Sequence, residues 1–228
     1  MSKKKIEESQ KGFESVESAL SRTEQYIEDN KKSLTIIVAA IILVVGGYLL
    51  YSRVLLEPKE TEAQSQIFRA EQYFEMDSFR LALEGDGDAL GFIDIIDEYG
   101  ITKTANLANY YAGISYLRLG EYEDAIEYLK QFDSDDKLVS VVALGALGDA
   151  YVETGDYEEA VSFFEKAANK NKNDFTSAIY LKKAGLAYEA TENFEKAVAA
   201  YEKIKKLYPE SEEARDIDKF IQAARMRI

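Results

Sequence analysis

Residues 112–129 read AGISYLRLGEYEDAIEYL, residues 147–164 read LGDAYVETGDYEEAVSFF and residues 184–201 read AGLAYEATENFEKAVAAY. In each stretch a glycine is followed by a tyrosine, then an alanine, then a large apolar residue at fixed spacing. The sets are Gly113/Tyr116/Ala125/Leu129, Gly148/Tyr151/Ala160/Phe164 and Gly185/Tyr188/Ala197/Tyr201. Successive glycines lie 35 and 37 residues apart, close to the roughly 34-residue period of a helix–turn–helix solenoid unit. The span from Asn106 to Pro209 is therefore an array of three helical hairpins.

Each glycine interrupts an apolar helical stretch, where it costs about 1 kcal/mol relative to alanine. Three such costs in register require a common cause, and crowding between the two helices of a hairpin supplies one. The sequence predicts that each glycine faces Ala125, Ala160 or Ala197, with Tyr116, Tyr151, Tyr188, Phe164 and Tyr201 filling the gaps between hairpins. The turns repeat as well: Leu119-Gly120-Glu121-Tyr122, Thr154-Gly155-Asp156-Tyr157 and Thr191-Glu192-Asn193-Phe194. Glycine or asparagine there suits a helix stop with a left-handed residue.

These motifs resemble the tetratricopeptide repeat family across Asn106 to Pro209, including Pro209 at the end of the third copy. The first two copies end without proline, at Lys137 and Lys172, and the third has Glu192 where the family usually has glycine. The resemblance implies an all-α helical-hairpin solenoid that binds other proteins. It also implies a groove lined by the first helix of each hairpin. The matching positions are Leu107, Tyr110, Ile114, Leu117 and Arg118 in the first copy, Val142, Gly145, Asp149, Val152 and Glu153 in the second, and Ile179, Lys182, Leu186, Glu189 and Ala190 in the third. Such a groove is apolar at one end and acidic toward the other, and several of these side chains alternatively pack between hairpins. The lysine and asparagine set by which chaperone-binding relatives clamp a carboxylate tail is missing.

Composition narrows the chemistry. The 228 residues include no cysteine and no histidine, which removes disulfides, thiol nucleophiles, imidazole bases and the commonest zinc ligands. A net charge of −14 and a pI near 4.6 argue against nucleic acid, whose backbone demands a basic face. No glycine-rich phosphate loop or metal-spaced cluster is present, so the chain is expected to be no enzyme, with no cofactor and no small-molecule substrate. One arrangement imitates a calcium loop: Asp86, Asp88, Gly91, Asp94 and Asp97. Leu90 at its fifth position, aspartate at its twelfth, and the helical spacing of Phe92, Ile93 and Ile96 point instead to a turn and a helix cap.

Outside the repeats, residues 1–32 form a tail with balanced charge. Ile6, Phe13, Leu20 and Ile27 recur every seven positions with Val16 between, the pattern of an amphipathic helix or a thin coiled-coil seam; a mostly disordered tail is the alternative. Residues 33–52, SLTIIVAAIILVVGGYLLYS, carry no charge. As a helix they span about 30 Å, enough to cross a bilayer core. Residues 53–60 read as a linker, residues 61–105 as a degenerate first repeat of two helices, with Ala89, Phe92, Ile93 and Ile96 inward on the second, and residues 210–228 as a capping helix. Lys31 and Lys32 before the apolar run, against Arg53 and Lys59 after it, favour a cytoplasmic amino terminus. The layout predicted is a bacterial inner-membrane protein with one span and a periplasmic repeat domain.

That layout resembles the YfgM-type ancillary subunits of the bacterial Sec translocon. The resemblance implies contacts with the translocon, exported polypeptides or periplasmic chaperones. Two other classes stay open: a scaffold for cell-wall or outer-membrane assembly, and, with reversed topology, a cytosol-facing targeting receptor.

Overall fold

The computed structural model describes the backbone of residues 2–228 and the side chains of residues 26–228. Among the described residues every regular element is a helix. The chain divides into two compact units, Met1–Glu57 and Pro58–Ile228.

In the first unit helix α1 runs over Ser2–Tyr51 and passes into one π turn, Ser52–Leu56. Ile6, Phe13, Val16 and Leu20, most of the seven-residue seam, lie outside the described side chains. Along the charge-free run the large apolar side chains are exposed: Ile36 is 69 % accessible and Leu43 76 %. Residues 53–60, expected to be a linker, are helical instead, because α2 (Glu57–Glu75) begins at Glu57. Pro58 explains the π turn: it has no N–H to donate and its ring crowds the carbonyl one turn back. The wider turn, in which the Glu57 N–H donates to the Ser52 carbonyl, accommodates that loss.

The second unit opens with α2, whose Ala63, Ile67, Ala70 and Tyr73 are buried. Two short helices follow, α3 (Phe79–Glu84) and α4 (Phe92–Tyr99), where a single second helix was expected. The α4 register buries Phe92, Ile95 and Tyr99, one turn apart on one face. Ile93 and Ile96 are only half-buried and Ala89 lies in the preceding loop. The carboxylates of the calcium-like pattern serve the loop and the helix start. Asp86 accepts from the Tyr73 hydroxyl at 2.5 Å and from the Asp88 and Ala89 N–H groups at 3.0 and 2.8 Å, while Asp94 caps α4 through the Gly91 N–H at 3.4 Å.

The three hairpins are α5 (Lys103–Leu119) with α6 (Tyr122–Gln131), α7 (Val139–Thr154) with α8 (Tyr157–Lys170), and α9 (Thr176–Ala190) with α10 (Phe194–Leu207). Glu60 on α2 ties the degenerate first repeat to the hairpin that follows it. Its carboxylate accepts from the Lys103 N–H at 2.7 Å and the Thr104 hydroxyl at 2.8 Å, covering the start of α5 where N–H groups are otherwise unpaired. Burial works against the charged form of Glu60, but these bonds outweigh it and leave the carboxyl below its usual range.

Within each hairpin the glycine does not face the alanine. A methyl group on Gly113 would lie 2.5 Å from Leu129 Cγ, one on Gly148 2.5 Å from Phe164 Cδ1, and one on Gly185 2.7 Å from Tyr201 Cζ. The large residue four positions beyond the alanine lies against the bare glycine backbone. Phe164 and Tyr201 therefore fill space inside their own hairpins, at 1 % and 0 % exposure, and their outer faces meet Tyr180 of the next hairpin and Phe220 of the closing helix. Each such side chain contributes about 1.5–3 kcal/mol by burial.

The hairpin turns share one hydrogen-bond pattern. The N–H groups of Glu121, Asp156 and Asn193 donate to the carbonyls of Tyr116, Tyr151 and Tyr188 at 3.0, 2.9 and 2.9 Å. The residue before each takes a left-handed conformation: Gly120 at φ 80°, Gly155 at φ 85° and Glu192 at φ 58°. Glutamate thus holds the geometry that glycine holds in the other two turns. Asn193 is not the helix stop; its side chain caps α10 through the Lys196 N–H at 3.4 Å.

Residues 210–228 do not form one helix. A 3₁₀ turn at Glu213–Arg215 precedes α11 (Ile217–Arg225), with the Ser211 hydroxyl accepting from the Ala214 N–H at 3.2 Å. Ile217, Ile221 and Ala224 close the apolar end of the array.

A left-handed glutamate costs about 1 kcal/mol or more that glycine avoids. Glu192→Gly is expected to raise the stability of the full chain by about 1 kcal/mol, read as a higher urea midpoint in detergent. An unchanged or lower midpoint would show that Glu192 sits in that turn without strain.

Candidate functional site

The first helices of successive hairpins, α5, α7 and α9, line a cleft of about 460 Å3. Ile114, Leu117, Val142, Ala146 and Val152 provide its apolar surface, and Arg118, Asp149, Glu153 and Lys183 its charges, with Tyr122 and Tyr180 at its walls. Arg118 and Glu153 stand five positions past their repeat glycines, Gly113 and Gly148, so the repeat itself sets them on neighbouring helices.

Seven of the fifteen groove positions expected from sequence meet here: Ile114, Leu117, Arg118, Val142, Asp149, Val152 and Glu153. The other eight do not line the cleft. Leu107 is half-buried, and Tyr110 packs its ring 5.4 Å from Phe132 and 5.5 Å from Tyr111. Lys182 pairs with Asp216 at 3.4 Å and stands over the Phe220 ring. Leu186 is 46 % exposed elsewhere on α9, and Glu189 accepts from the Tyr201 hydroxyl at 2.7 Å. Gly145 is also covered, because the Tyr180 ring rests on it so closely that no side chain fits there.

The electrostatics differ from the acidic groove expected. The Lys183 ammonium lies 2.7 Å from both oxygens of Asp149, which offsets that carboxylate inside the cleft. With Glu189 engaged by Tyr201, Glu153 is left as the acidic group and Arg118 as its basic counterpart. Both are exposed. The cleft therefore offers an apolar floor with one charge of each sign at its rim. Lys183 and Tyr180 were missed from sequence, but a signal existed: Asp149 and Lys183 are 34 residues apart, as are Lys182 and Asp216, so opposite charges one repeat apart mark where α9 meets α7 on one side and the start of α11 on the other.

Tyr180 ties the cleft to the core. Its ring is 8 % exposed and lies nearly parallel to Phe164 at 6.4 Å. Burial, with the nearby Asp149 carboxylate adding to it, pushes its hydroxyl up to about 12. Tyr188, whose hydroxyl donates to Glu165 at 3.1 Å, is likewise pushed to about 12, chiefly by burial.

Two family models for tetratricopeptide repeats match the chain, one over residues 103–173 and the other over residues 146–212. Among curated proteins no relative matches. Among solved structures, the fold is similar to a crystal structure of nearly identical TPR-like repeats from Podosopora anserina, in a chain assigned as a kinesin light chain. The TM-score is 0.54 at 17 % identity, covering 74 % of this chain and 87 % of that one.

Because Tyr180 is held neutral in the fold, its pKa lies above the unfolded value near 10, and its contribution to stability is lost as pH rises from about 10 to about 12. Tyr180→Phe is expected to leave the melting temperature at pH 7 nearly unchanged and to lessen its fall above pH 10. An identical alkaline fall in both proteins would show that Tyr180 ionises as freely as in the unfolded chain. Residues 103–212 are thus similar to tetratricopeptide repeats in sequence, and the solved neighbour shares the fold.

Proposed function

We infer that the repeats of residues 103–212, which match models of tetratricopeptide repeats, make this chain a protein–protein interaction module. We propose that it is a single-pass membrane protein whose repeat domain stands in the periplasm of a bacterium and assists the translocation or folding of exported proteins. Among the described residues one helix is long and apolar enough to cross a membrane, with the window that qualifies wholly unburied. Lys31 and Lys32 before that run favour a cytoplasmic amino terminus. Acting by recognition rather than catalysis, the domain binds through the cleft between α5 and α7.

The observation that carries this reading is the composition of the cleft. Its floor of Ile114, Leu117, Val142 and Val152 accepts apolar side chains of an extended or helical segment, while Arg118 and Glu153 admit either charge at the rim. Internal neutralisation of Asp149 makes the surface permissive, which suits a protein that meets many unfolded sequences. Affinity for any one segment is weak, since a flexible ligand loses ordering entropy on binding. Anchoring by α1 compensates, because tethering beside the site of emergence raises the effective concentration.

The test combines topology with capture in living cells. A cysteine at exposed Lys203 is expected to react with an impermeant maleimide once the outer membrane is opened, and one at Ser9 is not. A photoreactive residue at Leu117 is expected to cross-link to a stalled exported polypeptide, with a several-fold loss when Val152→Asp is added. Reversed labelling would favour a cytosol-facing receptor, and cross-links confined to cell-wall or outer-membrane assembly proteins would favour a scaffold.

A further inference from the structure

A second cleft, of about 250 Å3, opens where the start of α9 meets the residues following α10. It shares no lining residue with the groove between the first helices. Phe175 and Ile179 form its apolar wall, and Asp174, Glu210, Glu212 and Glu213 bring four carboxylates around it. Ile179 was expected in the groove and lies here instead.

Phe175 is 71 % exposed, although Thr176, Ser177 and Ala178 directly after it are at most 5 % exposed. Its outward position is built in. The Asn173 side-chain oxygen accepts from the N–H groups of Phe175 and Thr176 at 2.9 and 2.8 Å, fixing the entry to α9. A phenylalanine held in water in this way leaves an apolar surface that its own chain does not cover. Leu138 occupies the equivalent place at the start of α7, ten positions before its repeat glycine as Phe175 is before Gly185. It is 57 % exposed.

The charge around Phe175 states what can cover it. No lysine or arginine lines the cleft. Arg215 approaches Glu212 at 3.6 Å, with the two side chains 75 % and 85 % exposed, and a pair so open to water offsets little of the local charge. An anionic lipid surface is repelled by such a face, and a second copy of a chain with net charge −14 is disfavoured in the same way. We propose that this cleft docks a polypeptide segment presenting a bulky apolar side chain flanked by lysine or arginine. The apolar side chain lies against Phe175 and Ile179, and the cations meet Glu210 and Glu213. The site is independent of the groove and gives the domain a second point of attachment, at its carboxy-terminal end.

The experiment uses the full chain in nanodiscs of neutral lipid and three fluorescent twelve-residue peptides: alternating leucine and lysine, alternating leucine and glutamate, and alternating serine and lysine. The leucine–lysine peptide is expected to bind at least about fivefold more tightly than either control, since it alone supplies both the apolar and the cationic contacts. Phe175→Ser should weaken it about fivefold or more without moving the melting temperature, because the ring is largely in water. Glu210→Gln with Glu213→Gln should weaken it about threefold and flatten its salt dependence. Leu117→Ala with Val152→Ala should leave it unchanged, which separates this site from the groove. Binding that survives both cleft variants, that is lost only with the groove pair, or that is equal for the leucine–glutamate peptide would overturn the proposal. Equal binding by the serine–lysine peptide would also overturn it, as attraction by charge alone.

Discussion

The contact on which the hairpin stack depends is a large side chain lying on a glycine backbone. Leu129 on Gly113, Phe164 on Gly148 and Tyr201 on Gly185 repeat one close approach three times. Because the first helix carries no Cβ at that point, the second helix can bring a fully buried side chain against its backbone. Close packing of this kind leaves little slack, so the distance between the two helices is set by the thickness of the side chain between them. Tyr180 against Gly145 does the same between successive hairpins. It thereby positions the wall of the groove.

From this constraint follows the arrangement of charge. With the first helices held side by side, residues one repeat apart come within reach, and Lys183 finds Asp149 just as Lys182 finds Asp216. These half-exposed pairs contribute little to stability. Their effect on recognition is larger, because they decide which charges remain for a partner. In the groove, Arg118 and Glu153 remain. At the carboxy-terminal cleft the carboxylates remain without a lysine among them. One domain thus presents a permissive apolar groove and a selective acidic cleft.

Much of this architecture was legible in the sequence because periodicity is a property of order along the chain. The glycine spacing gave the hairpins, the shared turn motif gave their joints, and the charge-free run before Arg53 gave the apolar helix. What the sequence hid was orientation. Sixteen residues separate Gly148 from Phe164 and twelve separate it from Ala160; both fall on the facing helix, and only the tilt of the pair decides which one the glycine meets. The same holds for the groove, where seven of the expected residues meet and Tyr110, Glu189 and Lys182 are drawn to other contacts by Phe132, Tyr201 and Asp216. In the degenerate first repeat no consensus marks the register, so Ile95 rather than Ile93 or Ile96 joins Phe92 as a fully buried residue of α4. The π turn before Pro58 was hidden for another reason: proline reads as a break, whereas here the chain takes one wider turn closed by the Glu57 N–H on the Ser52 carbonyl.

The most direct measurement is a double-mutant cycle at Gly148 and Phe164, followed by urea unfolding of the full chain in detergent. Gly148→Ala alone is expected to cost about 1–3 kcal/mol by overpacking. In a Phe164→Leu background, where the facing side chain is smaller, the same substitution is expected to cost at least about 1 kcal/mol less. Costs that add to within about 0.5 kcal/mol would contradict the account, since the glycine would then be present for some reason other than the ring that lies on it.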